Sequence, residues 1–473
     1  MESIFDDPVA LLKTFVAHAS VSTDPDAAEH MVGAREFVVD LLSKLEFDCS
    51  LVETPLHPVI VAQRGVDLPD GTPHIVIYGH YDVQPADPLD LWETPPFAAT
   101  QRGERLYGRG AADNKGEVIT HLCALAKVFS ENPEIPLRIT YLIEGEEEIG
   151  SPNFSKVLDA YSDLLRSADF VLVSDTSIPT ADQVAITTQL RGLVDFEFTL
   201  TGPKMDLHSG EHGGAIRNTI QALSELLSTL HLEDGRVNVP GFYDDVLDFP
   251  EWEREELKKL PENEEEYARF LGVDSFYVPE SMTPFEHARF MPTLEMNGIG
   301  GGYQGPGSKT VIPSKAFVKI TCRLVPNQEP EDIFDKVKRT LEERLPSGVT
   351  MDLKKKAGAP AYLVVPPGRT NSDPEQPKAL SDAFYLAESA FEQTFGSRPL
   401  YIRGGGSIPI IGMIRDKTGL DALMIGLATP EDRIHSPNES CRNGRCCRFS
   451  NINRCSRFLF CNFHLYLCWT ICF

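Results

Sequence analysis

Basic residues are scarce in this sequence compared with acidic ones. The 473 residues include 44 Lys and Arg against 70 Asp and Glu, so the formal net charge is −26. Nucleic-acid binding depends on Lys and Arg side chains that neutralise phosphates, and anionic membrane surfaces attract the same side chains. The charge balance therefore argues against nucleic acid and against membrane surfaces as partners.

Cysteine is also scarce over most of the chain. Only Cys49, Cys123 and Cys322 precede residue 440, whereas the other seven of the ten cysteines follow it. Such sparse use is typical of a reducing compartment. The first residues, Met1–Asp7, carry three acidic side chains and no basic stretch, so no signal peptide is visible. We therefore expect a cytoplasmic protein.

Three short apolar runs each end in residues that commonly bind metals. We predict strands at Ile75–Tyr78, Leu137–Ile143 and Phe170–Val173. For a single glutamate, a solvated surface position is the simpler interpretation. It does not suit the whole set, because each acid follows a run of the type found in buried strands. The residues that follow the three strands are His80, Asp82, Glu144, Glu146, Glu147, Glu148 and Asp175.

Asp113 follows a glycine-rich turn between the first two strands and precedes a predicted helix, Gly116–Phe129. In an open α/β sheet, ligands collect beyond the carboxyl ends of the strands. Carboxylates crowded at that edge repel each other unless cations lie among them. Two divalent ions that share one carboxylate would neutralise the cluster and could activate a water molecule for hydrolysis. Mixed histidine and carboxylate ligands suit Zn²⁺, with Mn²⁺ or Co²⁺ as alternatives.

Six segments of the sequence resemble, in the same order, the signature segments of the M20 family of metallopeptidases. They are G-H-Y-D-V-Q-P, G-R-G-A-A-D-N-K-G, E-E-x-G-S, L-V-S-D, D-L-H-S-G and R-I-H-S-P-N-E. One such segment would carry little weight, but six in family order are very specific. The resemblance extends to about Glu439 and is greatest with the dipeptidase branch related to carnosinase.

The resemblance implies an α/β fold. In that fold a mixed-sheet catalytic domain with a dinuclear metal site carries an inserted α+β lid and dimerisation domain. The chain is also longer than one ordinary domain. We assign residues 1–186 and 374–440 to the catalytic domain and residues 187–373 to the inserted domain. We predict Ala185–Thr188 as the first strand of a second sheet. A homodimer formed through the inserted domain is implied as well.

The resemblance also assigns two divalent metal ions per subunit and their ligands. The ligands are His80 and Asp175 for one ion, Glu148 and His435 for the other, and Asp113 as the bridge between them. A cis peptide bond between Asp113 and Asn114 is implied by the same family pattern.

Two further residues of the site take their roles from the resemblance. Asp82 would orient the imidazole of His80 as a hydrogen-bond partner behind the metal. The successive glutamates Glu146, Glu147 and Glu148 are ambiguous by themselves. The family spacing E-E-x-G-S makes Glu147 the general base and Glu148 the ligand, and it leaves Glu146 without a role.

The inserted domain contributes substrate-binding residues in this family. His208, in D-L-H-S-G, would reach the partner's active site and stabilise the oxyanion, although a turn histidine is the alternative for this motif alone. Arg323 would bind the substrate's C-terminal carboxylate in a bidentate manner; a half-exposed strand arginine is the alternative. Thr310, Gly406 and Ser407 match further substrate contacts.

These assignments predict a dinuclear metal-dependent hydrolase that cleaves dipeptides or short peptides with a free C-terminal carboxylate. A deacylase or desuccinylase acting on N-acyl amino acids, within the same family, is one alternative. An inactive binding protein is an alternative from another class. It would predict the loss of Glu147 or of a metal ligand, and all of them are present.

Residues 441–473 do not continue the family pattern. They lack the regular C-x-x-C pairs of a zinc or disulfide module. Asn462 and His464 interrupt the run Phe458–Phe473 that a tail anchor would need. One permitted codon choice for C-R-N-G-R-C-C-R-F, read one base later, gives the helix-like V-G-M-E-D-V-A-A. We therefore favour a reading-frame slip as the hypothesis for this cysteine-rich tail.

Overall fold

The computed structural model describes residues 3–260, 263–369 and 377–442. Its strands, in chain order, are β1 (Asp48–Val52), β2 (Val59–Arg64), β3 (His74–His80), β4 (Thr100–Arg102), β5 (Arg105–Tyr107), β6 (Arg138–Glu144), β7 (Phe170–Ser174), β8 (Ala185–Leu190), β9 (Gly192–Thr201), β10 (Leu207–His208), β11 (Thr293–Gly301), β12 (Val311–Ile312), β13 (Lys315–Leu324), β14 (Thr350–Ala359), β15 (Tyr362–Leu363), β16 (Leu400–Arg403), β17 (Ala422–Ile425) and β18 (Ser440–Arg442).

The α-helices in these ranges are α1 (Pro8–Ala17), α2 (Ala28–Lys44), α3 (Lys115–Glu131), α4 (Phe154–Ala160), α5 (Ser162–Arg166), α6 (Ser209–His212), α7 (Thr219–Ser228), α8 (Glu251–Leu257), α9 (Glu264–Leu271), α10 (Pro284–Phe290), α11 (Pro330–Glu343), α12 (Lys378–Phe395) and α13 (Pro409–Thr418). The tail from residue 443 and the predicted boundary between residues 373 and 374 lie outside the described residues. The frame-slip hypothesis and that boundary therefore stay predictions.

The first sheet is mixed, with the strand order β1-β2-β6-β3-β7-β17-β8-β15, and β16 also pairs with β8. The strands β6, β3, β7 and β17 run parallel to their neighbours in this series. Every residue of β3 and of β7 is buried, as expected for parallel strands that helices cover on both faces. The three predicted strands that lead to the site are confirmed. The strands β1 and β2 form an antiparallel edge beside β6.

Local sequence explains where the helices around this sheet begin. Asp7 precedes α1 and its carboxylate accepts a hydrogen bond of 3.0 Å from the backbone N–H of Ala10, while Pro8 occupies the first helical position. The helix α3 begins at Lys115, two residues after the predicted bridging residue Asp113, and almost all of its residues are buried. Because α3 packs on α1 and on β3, its N-terminus lies at the edge of the sheet where the predicted ligands collect.

The second sheet is antiparallel, with the order β11-β13-β9-β14. In β9 and β13, buried residues alternate with more exposed ones, so one face packs on a core and the other does not. The helices α7 and α11 cover the packed face. The residues of this core include Val194, Phe196, Phe198, Leu223, Leu226, Val318, Ile320, Ile333, Val337 and Leu341. The predicted α/β fold with an inserted α+β unit is thus confirmed.

One strand was predicted in the wrong sheet. Ala185–Thr188 belongs to β8, which pairs with β16 and β17 in the first sheet. All six residues of β8 are buried, a continuous pattern that differs from the alternation of the second sheet. The chain changes sheets at Arg191, directly before β9, and returns between β14 and β15.

The described part of the chain closes with β18, which pairs with β5 in a small three-stranded sheet. Cys441 at the centre of β18 is fully buried and belongs to the hydrophobic core around the first sheet. This strand follows R-I-H-S-P-N-E directly, so it ties that segment to the body of the first domain. Among the described residues, no helix combines the length and apolar character that crossing a membrane requires.

Candidate metal and catalytic site

The carboxyl ends of β3, β6 and β7 meet at one edge of the first sheet, because these strands run parallel. The strand β3 ends at His80. The strand β6 ends at Glu144 and leads into a 3-10 turn, Glu147–Ile149. The strand β7 ends at Ser174, directly before Asp175. Ligand sites in open α/β sheets form at such an edge.

The first group of candidate metal ligands consists of His80, Asp113 and Asp175. Their ligand atoms all lie within 4.8 Å of one another. Nε2 of His80 is 3.1 Å from Oδ1 of Asp113 and 3.8 Å from Oδ1 of Asp175. Burial and the charge of Asp113 raise the pKa of Asp175 to about 6. The carboxylates of Asp113 and Asp175 are therefore crowded, and a cation between them would relieve their repulsion.

The second group consists of Asp113, Glu148 and His435. Nε2 of His435 is 3.0 Å from Oδ2 of Asp113 and 3.1 Å from Oε2 of Glu148. Hydrogen bonds to these two carboxylates raise the pKa of His435 to about 10. Asp113 thus directs one oxygen to each group, and the two groups share its carboxylate.

The chemistry of this donor set fits a pair of divalent cations. Each group offers one imidazole nitrogen together with carboxylate oxygens, a combination that suits Zn²⁺ and is compatible with Mn²⁺ or Co²⁺. Without cations, the imidazoles hold protons more strongly than usual because acids surround them. Metal ions would supply the same positive charge to both groups. The peptide bond between Asp113 and Asn114 is cis, as the resemblance implied.

Asp82 contacts one residue of each group. Nδ1 of His80 lies 3.1 Å from the backbone carbonyl oxygen of Asp82 and 3.4 Å from its Oδ1. The other carboxylate oxygen, Oδ2, accepts a hydrogen bond of 3.1 Å from the backbone N–H of Glu148. The nearest acceptor for Nδ1 of His80 is therefore the carbonyl of Asp82 rather than the carboxylate that the sequence suggested.

Two further side chains hold candidate ligands in place, and sequence reasoning missed them. Nε2 of Gln84 donates to Oε2 of Glu148 at 2.8 Å. Nδ2 of Asn114 donates to Oδ1 of Asp175 at 2.9 Å and to the carbonyl of Ser174 at 2.8 Å. Both amides lie inside the segments G-H-Y-D-V-Q-P and A-A-D-N-K-G, so their position in these motifs was the signal that could have found them.

The carboxylate of Glu146 is held by hydrogen bonds on both oxygens. Its Oε1 accepts from the hydroxyl of Thr54 and, at 2.9 Å, from the backbone N–H of His57. Its Oε2 accepts from Nδ2 of Asn153 at 2.8 Å. Glu146 therefore ties together three chain segments beside the site, and its oxygens are already occupied.

The neighbouring carboxylate of Glu147 is in a different situation. Within the described residues no hydrogen bond is made to it. Burial raises the pKa of Glu147 well above its usual value, and the charges of Asp175 and Glu148 act in the same direction. Glu147 therefore lies near the candidate ligands with a carboxylate to which no other described residue is hydrogen-bonded.

The predicted substrate-binding residues form two sets. In the first, His208 lies in β10, which pairs with β12, and Nδ1 of His208 accepts a hydrogen bond of 3.0 Å from the N–H of Gly210. The N–H of Ser209 donates to the carbonyl of Thr310 at 3.1 Å. His208 and Thr310 are thus neighbours. Within residues 3–260, 263–369 and 377–442, no hydrogen bond or ion pair joins His208 to the candidate ligands of its own chain.

In the second set, Nη1 of Arg323 donates to Oγ of Ser407 at 3.0 Å. Arg191, which sequence reasoning missed, donates from its backbone N–H to the carbonyl of Gly406 at 2.8 Å and from Nε to the carbonyl of Gly405 at 2.7 Å. Burial and the nearby charge of Arg323 lower the pKa of Arg191 to about 10. Two guanidinium groups therefore lie beside the glycine-rich turn 404–407.

A cleft of about 840 Å³ opens beside the segment that carries His435. It is lined by residues of the first domain and by Phe270, a residue of α9. Phe270 is 63% exposed. Ile434 and Ser436, the chain neighbours of His435, line the cleft, whereas none of the five candidate ligands is among its lining residues.

Comparisons with known proteins agree with this geometry. Residues 76–459 match the family described as peptidase family M20/M25/M40. The beta-Ala-His dipeptidase of Homo sapiens is 33% identical over 386 residues, covering 81% of this chain and 74% of that one. The Cys-Gly metallodipeptidase of Schizosaccharomyces pombe is 30% identical over 453 residues, covering 92% and 91%.

A solved structure extends the agreement to the fold. The M20 family metallo-carboxypeptidase Sso-CP2 of Sulfolobus solfataricus superposes with a TM-score of 0.84 at 30% identity, covering 99% of this chain and all of that one. Because the family match, the covered length and the fold all agree, the chain belongs to peptidase family M20/M25/M40 and is a hydrolase of the metallopeptidase class.

Proposed function

We propose that this protein is a dinuclear metal-dependent dipeptidase that cleaves dipeptides or short peptides with a free C-terminal carboxylate. The single observation that carries the proposal is the shared carboxylate of Asp113, which lies between two ligand groups with Glu147 beside them. The names of the relatives, a beta-Ala-His dipeptidase and a Cys-Gly metallodipeptidase, support dipeptides as the substrate class.

The five candidate ligands would hold two divalent ions, for which we propose Zn²⁺, with Mn²⁺ or Co²⁺ as alternatives. His80 and Asp175 would bind one ion, Glu148 and His435 the other, and Asp113 both. Such a pair would supply a Lewis acid for the scissile carbonyl and would make a bound water molecule more acidic. The hydrogen bonds from Gln84 and Asn114 would keep the carboxylates of this set in one orientation.

Glu147 would move the proton in this reaction. Its carboxylate is not engaged by other described residues, so it can accept a proton from the attacking water. It would then deliver that proton to the amine nitrogen as the peptide bond breaks. Burial raises the pKa of this side chain, so its ionised form is a stronger base for the first step than an exposed glutamate would be.

Arg323 would bind the C-terminal carboxylate of the substrate, with Ser407 and Gly406 as further contacts. Thr310, which lies beside His208 in the first set, would be a separate substrate contact. The side chain of Ser407 lies within hydrogen-bond distance of the guanidinium, so it could share the same carboxylate. Arg191 adds a second positive charge to the surroundings of the turn. An arginine fork matches a carboxylate geometrically as well as in charge.

His208 is proposed to act on the active site of a partner subunit. Its exposed position in the inserted unit supports a role as a donor to the oxyanion, as does its Nε2 nitrogen, to which no described residue is hydrogen-bonded. This role requires a homodimer formed through the inserted unit. We also propose a cytoplasmic location, on the grounds of the sparse cysteine use.

The alternatives receive less support. A deacylase of N-acyl amino acids would need no free amino group on its substrate, but the compared relatives are named as peptidases. An inactive binding protein would be expected to have lost a ligand or the base. Here the ligands converge in two groups, and Glu147 lies beside them.

The substrate proposal is tested by comparing three substrate types after reconstitution with Zn²⁺ or Mn²⁺. We expect hydrolysis of dipeptides from a library, with much weaker hydrolysis of the same dipeptides as C-terminal amides and of N-acyl amino acids. Replacing Arg323 with glutamine should reduce kcat/KM for free dipeptides. A charge-assisted hydrogen bond contributes about 1.5–3 kcal/mol, which corresponds to a loss of roughly ten- to a hundredfold.

The matched control for Arg323→Gln is Lys319→Gln. Lys319 lies on the same face of β13, four residues away, and it is exposed. The Lys319→Gln substitution removes the same charge and should leave kcat/KM unchanged. Arg323→Gln should also leave the rate on amides unchanged, because these lack the carboxylate. Equal losses on acids and amides would contradict the proposed contact, and a preference for N-acyl amino acids would contradict the dipeptidase assignment.

The shared active site is tested by mixing two inactive variants. A His208→Ala chain and a Glu147→Gln chain are each expected to be inactive as homodimers. In a mixed dimer, one site combines intact Glu147 from one chain with intact His208 from the other, so part of the activity should return. Differently tagged chains would allow mixed dimers to be isolated. Isolated mixed dimers without activity would show that His208 does not act across the interface.

A further inference from the structure

Glu439, the last residue of R-I-H-S-P-N-E, is fully buried, and the mechanism above does not use it. Its carboxylate accepts four hydrogen bonds from one loop. Oε2 accepts from Nη1 of Arg109 at 2.6 Å and from the N–H of Gly110 at 3.1 Å. Oε1 accepts from the N–H of Ala112 at 3.0 Å and from the N–H of Asp113 at 3.2 Å. A single side chain thus holds most of the loop that presents Asp113.

The same chain segment contacts Asp113 from two directions. His435, four residues before Glu439, lies 3.0 Å from Oδ2 of Asp113, whereas Glu439 binds the backbone of Asp113. The main chain of Glu439 is fixed as well, since its carbonyl accepts a hydrogen bond of 2.9 Å from the N–H of Gly108. The position of the Asp113 carboxylate relative to His435 therefore depends on the Glu439 side chain.

The loop would not remain in this position without an acceptor of this kind. Three of the four donors are backbone N–H groups, two of them from Gly110 and Ala112, which are buried together with the carboxylate. Buried N–H groups need partners. Arg109 is 1% exposed and supplies the charge that balances Glu439. Nη2 of Arg109 donates in turn to the carbonyl of Pro85 at 3.1 Å, so the guanidinium that faces Glu439 is itself held in place.

We propose that Glu439 is a positioning residue, which places the Asp113 carboxylate between the two ligand groups by holding the backbone of the loop 109–113. The inference rests on the proposed function, because it assigns Asp113 as the shared ligand of two ions. Glu439 contacts neither metal nor substrate. Its effect reaches the site through the position of Asp113, and the consequence is a dependence of metal affinity on the Glu439 side chain.

The test is Glu439→Gln, measured as Zn²⁺ affinity by competition with a chromophoric chelator on the full chain. Glutamine keeps one acceptor oxygen, but its amide group would face two N–H donors wherever the side chain is placed. We expect Zn²⁺ binding to weaken roughly ten- to a hundredfold, the range typical of residues that orient metal ligands. The unfolding temperature of the metal-free protein, measured in parallel, reports the purely structural part of the effect.

Glu144→Gln is the matched control. Glu144 is also fully buried at the same edge of the sheet, but Oε1 of Glu144 accepts from the hydroxyls of Tyr78 at 2.7 Å and Ser151 at 2.9 Å. Hydroxyls can donate or accept, so glutamine can keep these bonds. Burial raises the pKa of Glu144 to about 8, so the neutral amide resembles its protonated form. Zn²⁺ affinity should stay at the wild-type value.

The outcomes separate the possibilities. Wild-type Zn²⁺ affinity in folded Glu439→Gln would overturn the inference and leave the dipeptidase proposal intact. If Glu439→Gln does not fold, Glu439→Asp is measured instead, because aspartate keeps the charge but places the carboxylate farther from the loop. Weaker Zn²⁺ affinity of Glu439→Asp supports the inference, and unchanged Zn²⁺ affinity overturns it. If neither variant folds while Glu144→Gln does, Glu439 is a structural brace and the inference fails. A wild-type protein that binds no Zn²⁺ would overturn both proposals.

Discussion

Removal of metal by prolonged dialysis against a chelator should abolish hydrolysis of dipeptides, and addition of Zn²⁺ or Mn²⁺ should restore it. We expect about two ions per subunit, because the ligands form two groups that share the carboxylate of Asp113. The measurement is turnover together with metal content by elemental analysis. Activity that persists in metal-free protein would contradict the proposed chemistry.

The same experiment has a readout that is independent of turnover. Binding of a ligand to the folded state alone stabilises that state in proportion to the logarithm of its concentration over Kd. The unfolding temperature should therefore fall on chelation and rise again with added metal. Asp113→Asn should weaken this response at both groups, whereas Asp175→Asn should leave about one ion per subunit. Two ions bound to Asp113→Asn with unchanged affinity would argue against the shared carboxylate.

Replacement of Glu147 with glutamine should reduce kcat by a factor of roughly a hundred or more, with metal content and fold retained. The substitution removes the group that accepts and returns the proton. It leaves the five candidate ligands in place. Turnover with a saturating dipeptide, metal analysis and an unfolding curve would measure the three expected results.

The neighbouring Glu146→Gln variant is the control for Glu147→Gln. Glu146 is held by donors from Thr54, His57 and Asn153. Glutamine can keep the two bonds on Oε1, and the amide of Asn153 can turn to offer its oxygen to the new N–H group. We expect turnover close to that of the wild type. Near-normal turnover in Glu147→Gln, with loss in Glu146→Gln, would show that the base is Glu146.

The sequence alone was sufficient for the fold class and for the five candidate metal ligands, which the structure brings together, but not for Gln84 and Asn114, which hold two of them. Apolar runs of the length of strands end directly before His80 and Asp175, and this is a local feature of the chain. Parallel strands place their carboxyl ends at one edge, so acids that follow such strands converge without further information. The order of six segments added the family, because motif identity and chain order are both properties of the sequence.

Tertiary structure decided which partners each side chain meets. The strand β8 is apolar along its whole length, but only its pairing with β16 and β17 shows that it belongs to the first sheet. Glu146, Glu147 and Glu148 do not differ in residue type. The hydrogen bonds that the carboxylate of Glu146 accepts from Thr54 and Asn153 distinguish it from its two neighbours.

Glu439 shows the same limit most clearly. It is 326 residues away from Asp113 in the chain, and no local pattern relates the two. Their contact exists because β18 pairs with β5 and brings the end of R-I-H-S-P-N-E beneath the loop 109–113. Local propensity and periodicity determine where elements begin and what they bury. Hydrogen bonds between distant segments depend on the packing of the whole domain, and only the folded chain specifies them.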